Sequence, residues 1–244
     1  MLYLLRTKKI KLVVSLSVFF LIFSITNVQA QKVMYLETHD QKPYYFGISL
    51  GTNITRFHIE HHSQFLQQDS IMVAEPLNSK GFALGLLATG RLSNRFLVRF
   101  NPQLMFTDRS IFYKLKYQDI ERQTEVEKKV ESVMLTFPLQ LKFQSDRIGN
   151  FRVYMMGGGK FDLDLASNAK ARKADDMIKI GRGDYGVEAG LGFNFYFPSF
   201  ILSPEIKISN GLNDMHSRDE KLNYSNVLDR IQSRMIMFSI HIEG

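Results

Sequence analysis

The chain has 244 residues, 45% of them hydrophobic, with no Cys, no Trp and a formal charge of +7. Four of those surplus charges, Arg6, Lys8, Lys9 and Lys11, fall in a first segment that holds no acid, and the remainder carries only +3. So mild a surplus, spread over many segments, speaks against nucleic acid as a partner. The lack of Cys excludes a lipidated N-terminus and a disulfide-stapled fold.

Met1–Ala30 reads as a secretory signal. A basic start leads into an apolar stretch, Leu12–Ile25, that is too short for an ordinary membrane helix, and Val28-Gln29-Ala30 precedes a cut at Gln31. A retained anchor helix is the alternative. Gln31–Pro43 is polar and aperiodic, which predicts a periplasmic linker, and residues 44–244 suit one domain.

Eight alternating segments follow: Tyr44–Asn53, Gly81–Thr89, Phe96–Thr107, Val133–Gln144, Phe151–Asp162, Tyr185–Phe197, Phe200–Ser209 and Arg234–Ile242. Each is near the roughly 9–11 residues that cross a bilayer as a tilted strand. Gly90–Asn94, Ser145–Asn150 and Pro198-Ser199 are tight turns. Ile54–Lys80, Asp108–Ser132, Ala166–Asp184 and Asn210–Ser233 are long and polar. An even strand number with short and long connections in alternation predicts an all-β, eight-stranded antiparallel up-and-down transmembrane β-barrel. Its long connections face outward from the cell and its termini are periplasmic. Without Trp, the aromatic girdle must be built from Tyr and Phe.

One face carries Phe82, Leu84 and Leu86, Leu135 to Phe143 at every second position, Val187, Leu191, Phe193, Ile206, Ile236 and Phe238. The other carries Arg99, Asn101, Gln103, Gln140, Lys142, Arg152, Lys160, Asp162, Glu188, Asn194, Glu205 and Lys207, interspersed with glycines. Period-2 alternation does not say which face is inside, and a soluble lipocalin-like barrel would bury the first. Isolated charges of both signs among glycines suit a narrow lumen, which favours the membrane arrangement. Pro102, Pro138 and Pro204 fall inside these segments and predict bulges or strand ends there.

Arg99, Arg152, Glu188, Glu205 and Lys207 then point into the lumen as an ion-pair network, with a selectivity filter as the alternative. His58, Glu60 and His62 share one side of an extended loop and would suit zinc, although a solvated cluster is the plainer reading. Ser110, Asp214, His216 and Asp219 sit in outer connections, but no spacing selects a triad, so no enzyme and no cofactor are expected. Gly157-Gly158-Gly159 lies in a strand with no helix after it, which is not a phosphate loop. Its expected role is close approach of a neighbouring strand or lumen side chain. Tyr117–Val130 is dense in charges of both signs and predicts a hairpin above the membrane, with a solvated loop as the alternative. Lys170, Arg172, Lys173, Lys179 and Arg182 would suit lipopolysaccharide or an acidic partner.

Phe151–Ser167 (FRVYMMGGGKFDLDLAS), Asp184–Asn213 (DYGVEAGLGFNFYFPSFILSPEIKISNGLN) and Leu135–Phe143 resemble the PorT proteins of Bacteroidota. That resemblance implies an outer-membrane barrel component of the type IX secretion system and of gliding. It implies a role in exporting surface proteases and adhesins, with other secretion components and outer-membrane lipid as partners. The C-terminus departs from general outer-membrane practice, since Ile242-Glu243-Gly244 has no terminal aromatic. The competing expectation is an OmpA-like or OmpW-like barrel acting as adhesin or small-solute carrier.

Overall fold

The structure, a computed structural model, describes residues 33–61, 71–117, 124–166, 181–215 and 228–244. The signal-like segment Met1–Ala30 lies outside the described residues, and the compact unit runs from Tyr35 to Gly244. A 3-10 turn at Glu37–Gln41 precedes ten strand segments: β1 Tyr44–His61, β2 Ile71–Leu77, β3 Ser79–Arg91, β4 Phe96–Phe100, β5 Gln103–Leu115, β6 Glu125–Gln144, β7 Phe151–Asp164, β8 Gly183–Tyr196, β9 Ile201–Gly211 and β10 Leu228–Glu243. β2 and β3 form one stave, interrupted at Asn78. β4 and β5 form another, interrupted at Asn101-Pro102. The ten segments therefore make eight staves, each antiparallel to its neighbours. β1 pairs with β10 on one side and β3 on the other, so the sheet closes into a barrel without a free edge at membrane height.

The prolines cost less than the sequence suggests. In an antiparallel ladder a residue's N–H and C=O face the same neighbour. Pro138 accepts from Asn101 N–H at 3.3 Å, so its missing donor faces the break between β4 and β5. Pro102 makes that break and accepts from Leu86 N–H at 3.0 Å. The predicted bulges are absent at Pro138 and Pro204. β6 keeps its register through Pro138↔Lys160, and β9 keeps its register through Ile240↔Pro204. Opposite Pro204 the β8–β9 ladder simply skips from Glu205 to Leu202.

Polarity is inverted relative to a soluble barrel. Ile48, Leu50, Phe82, Leu84, Leu86, Leu139, Leu141, Val187, Leu191, Ile206, Ile236 and Phe238 are all exposed on the outer wall. A continuous apolar belt of this extent on a closed barrel is a lipid-facing surface. On β1 the belt runs from Tyr44 to Ile54, ten residue steps. That is about 33 Å of strand, standing roughly 25 Å tall at the usual tilt, the height of a barrel's apolar band. Ring pairs Phe96–Phe143 at 5.1 Å, Phe151–Phe195 at 5.3 Å and Phe197–Phe200 at 4.9 Å girdle its short-turn edge.

The staves outrun the predicted segments at the long-connection end. β1 continues to His61, β5 to Leu115 and β6 begins at Glu125, so much of two connections expected as loop is wall. There the alternation changes phase. Below, Ile54 faces out and Thr55 in; above, Arg56, His58 and Glu60 face out while Phe57 is buried. The β5–β6 ladder reaches Lys114↔Glu125, so these two strands pair well past the belt; residues 118–123, between them in sequence, lie outside the described residues.

Candidate functional site: a filled lumen and its two ends

Each stave sends alternate side chains inward, and an eight-stranded barrel is just wide enough for them to interdigitate. At the short-turn end the first layer is ionic. Arg99, from β4, donates to Glu205 of β9 at 2.7 Å and to Glu243 of β10 at 3.0 Å, with all three side chains fully buried. Its planar fork lets one cation span two carboxylates. Tyr154 donates its hydroxyl to Glu205 at 2.8 Å, and His241 lies 3.3 Å from the same carboxylate. The Tyr154 ring carries the Lys142 ammonium 3.6 Å from its centroid, and Lys142 also donates to Asn194 at 3.3 Å. Gly192 permits this layer, because a Cβ there would collide with the Tyr154 ring.

One step up, Lys207 meets Glu188 at 3.3 Å, and Gln140 donates to the other Glu188 oxygen. Above them Met105, Met134, Met235 and Met237 pack with Ala83 into an apolar layer. Lys160 pairs with Asp162, and Arg109 donates to Met134 Sδ at 2.7 Å while stacking 5.4 Å over Phe57. Beyond, Phe57, Ile71, Ala74, Ile111, Tyr113, Met215 and Ile231 form a hydrophobic core inside the long-connection end. Layer upon layer, side chains occupy the bore. Reconstituted into planar bilayers, the protein is expected to give no stable porin-sized conductance steps, and sustained steps of that kind would contradict a filled lumen.

The short-turn mouth is closed by the segment read from sequence as a linker. The Glu37–Gln41 turn sets Asp40 between Arg152, at 3.0 Å, and Arg147, at 3.4 Å. Arg147 also donates to Leu36 C=O at 3.4 Å and to Tyr35 C=O, and stacks 3.7 Å over the Tyr196 ring. These bonds hold Leu36 at φ 53°, a left-handed conformation that a leucine rarely adopts. His39 is buried against Tyr45, ring centroids 4.5 Å apart. Burial, aided by the nearby Lys42 charge, pushes its imidazole down to about 4, so it stays neutral at neutral pH.

Of the five predicted lumen charges, the structure thus brings together Arg99 with Glu205, and Lys207 with Glu188. Arg152 stands apart at the mouth, because β7 begins there and Asp40 meets it first. Glu243, His241, Tyr154 and Lys142 complete the lower layer. The signal for the first two was present: the β10 alternation puts His241 inside between Ile240 and Ile242, and one step past Ile242 puts Glu243 there as well. The signal for Asp40 was not, since a single 3-10 turn leaves no periodicity.

Among the described residues, the remaining candidates are not brought together. His58 and Glu60 are on the outer face of β1, whereas His62 lies outside the described residues. No cluster of three His, Asp or Glu suited to a metal occurs among the described residues. Ser110 is buried on β5, and Asp214 accepts from Ile231 N–H at 3.1 Å, while His216 and Asp219 lie outside the described residues. Lys170, Arg172, Lys173 and Lys179 also lie outside the described residues. In the glycine triplet only Gly158 is crowded, its Cβ position filled by Leu139 and Gln140 backbone.

A family model described as outer membrane protein beta-barrel domain matches residues 29–217. No curated relative matches the sequence. Among solved structures, the chain is similar to the outer membrane protein OprG of Pseudomonas aeruginosa, at 13% identity and TM-score 0.49, covering 82% of this chain and 93% of that one. It is also similar to Neisserial surface protein A, at 10% identity and TM-score 0.42, covering 81% and 96%. A third likeness is to Ail of Yersinia pestis, at 12% identity and TM-score 0.38, covering 83% and 100%.

Proposed function

The chain belongs to the outer membrane protein beta-barrel domain family, and from that premise we propose that it is a non-enzymatic accessory component of the type IX secretion machinery, of the PorT kind. The observation that carries the accessory role is the filled lumen. With Arg99, Glu205 and Glu243 locked together at 2.7 and 3.0 Å across the bore, no polypeptide passes through this barrel. A role in export must therefore work through its surfaces. The resemblance of Phe151–Ser167 and Asp184–Asn213 to PorT proteins supports secretion as the process.

The β5–β6 hairpin is the surface best suited to hold a partner. It stands beyond the apolar belt and carries Lys114 with Glu125 at 3.5 Å and Lys129 with Asp108 at 2.9 Å, a face of mixed charge. Deleting the gene is expected to abolish release of surface proteases and adhesins, with restoration by the full chain. Cross-linking in native outer membrane is expected to join the hairpin to other secretion components. A deletion strain that secretes normally refutes the proposal and leaves the adhesin or solute-carrier reading standing.

A further inference from the structure

Arg56 and Arg234 are direct partners across the β1–β10 ladder, and both are exposed on the outer wall. Like charges placed opposite one another destabilise a sheet unless an anion lies between them. Neither guanidinium has a carboxylate within ion-pair distance among the described residues, although Arg234 is steadied by Asn210 Oδ1 at 3.2 Å. The pair sits one outward position above Ile54 and Ile236, at the upper rim of the apolar belt. Lys80, the ladder partner of Ile54, adds a third cation one outward position below the pair. Asp108, which shares that stretch of wall with Lys80, is taken by Lys129 at 2.9 Å.

Two hollows adjoin the pair. One, of about 370 Å³, opens beside Arg56 and Arg234 and is bordered by His58, Glu75 and Pro76. It exists because β1 pairs with β3 only as far as Thr55↔Ser79, whereas β2 pairs with β5, which leaves the wall parted above that point. The other, of about 270 Å³, is an apolar groove lower on the same wall. Its floor is Thr52, the one small residue in the outward series Ile48, Leu50, Thr52, Ile54. Its sides are Phe82 and Phe238, which are the direct partners of Thr52. From Thr52 to Arg56 is four residues, about 13 Å of strand.

We propose that this β10–β1–β3 face binds the phosphorylated, multiply acylated glycolipid of the outer leaflet. Arg56 and Arg234 hold a phosphate, with Lys80 flanking, and the Thr52 groove takes an acyl chain. Glu75 is the discriminating group: a carboxylate repels a bare phosphate but accepts hydrogen bonds from saccharide hydroxyls, so a sugar-phosphate fits where a simple anion does not. The spacing of cations above an apolar groove matches one molecule lying along the wall, head at the rim and tail in the belt. The site does not depend on the secretion role.

The test uses the whole barrel as purified from the outer membrane, in detergent micelles, titrated with lipid A, with dephosphorylated lipid A and with phosphatidylglycerol, binding being read by native mass spectrometry. Lipid A is expected to bind in preference to both controls. Arg56→Gln and Arg234→Gln should each weaken it about tenfold, the worth of one lost charged hydrogen bond. Thr52→Leu, which fills the groove and leaves the charges alone, should weaken lipid A without changing the phosphate preference. The heat-dependent shift in gel mobility monitors folding of each variant. Equal binding of phosphatidylglycerol, or lipid A binding indifferent to both the arginine and the Thr52 changes, overturns the proposal.

Discussion

Replacing Arg99 with Met is expected to be among the most damaging single changes in this protein. The substitution fits the space but removes the one cation that bridges Glu205 and Glu243, and it leaves the Tyr154 ring without the guanidinium 5.4 Å from its centroid. All three partners are fully buried, so water cannot take the place of the lost charge. Breaking a buried pair by removing one member costs about 3–5 kcal/mol. That is a large share of the total stability of most folded domains. Arg99→Lys should fall between, since an ammonium keeps the charge but not the planar fork that reaches both carboxylates. The triple change Arg99→Met, Glu205→Gln, Glu243→Gln should recover much of the loss by removing the uncompensated anions. Urea titration of the protein in lipid vesicles reads all three, and an unchanged midpoint for Arg99→Met would show that the network does not hold the barrel together.

That network was only half legible in the sequence, and the reason is local. The pleat enforces a period of two, so Arg99, Glu188, Glu205 and Lys207 were readable as inward residues from their apolar neighbours alone. Which charge meets which is decided by strand stagger around the ring, and no single segment carries that information. Arg152 illustrates it: the same inward face places it at the mouth, within reach of Asp40 rather than of Glu205. Asp40 itself came from a turn too short to show a period.

Two of the long connections run on as wall for a different physical cause. At the rim of the belt the solvent outside the wall changes from lipid to water, and the alternation reverses with it. Ile54 out with Thr55 in becomes Arg56 out with Phe57 in, and Phe57, Ile111, Tyr113 and Ile231 then build an ordinary hydrophobic core inside the barrel. A pattern search that expects apolar residues outward sees this reversal as the end of the strand. The wall in fact continues, which is why β1, β5 and β6 outrun their predicted bounds while the tight turns stand where the sequence put them.

The same inversion makes Leu139→Arg the second test with a large expected effect. Leu139 is central in the outward series of β6 from Val133 to Phe143 and is 58% exposed. On a water-facing wall an arginine there would be nearly neutral, because exposed substitutions away from special features change stability little. On a lipid-facing wall an arginine near the bilayer midplane costs about 2–4 kcal/mol, falling toward zero at the interfaces. Glu127→Arg, on the same strand but above the belt, serves as the matched control, with a shift near zero. Both variants are measured by urea unfolding from lipid vesicles. A midpoint for Leu139→Arg equal to that of Glu127→Arg would mean that the belt does not face lipid, and with it the inward assignment of every charge in the lumen would fail.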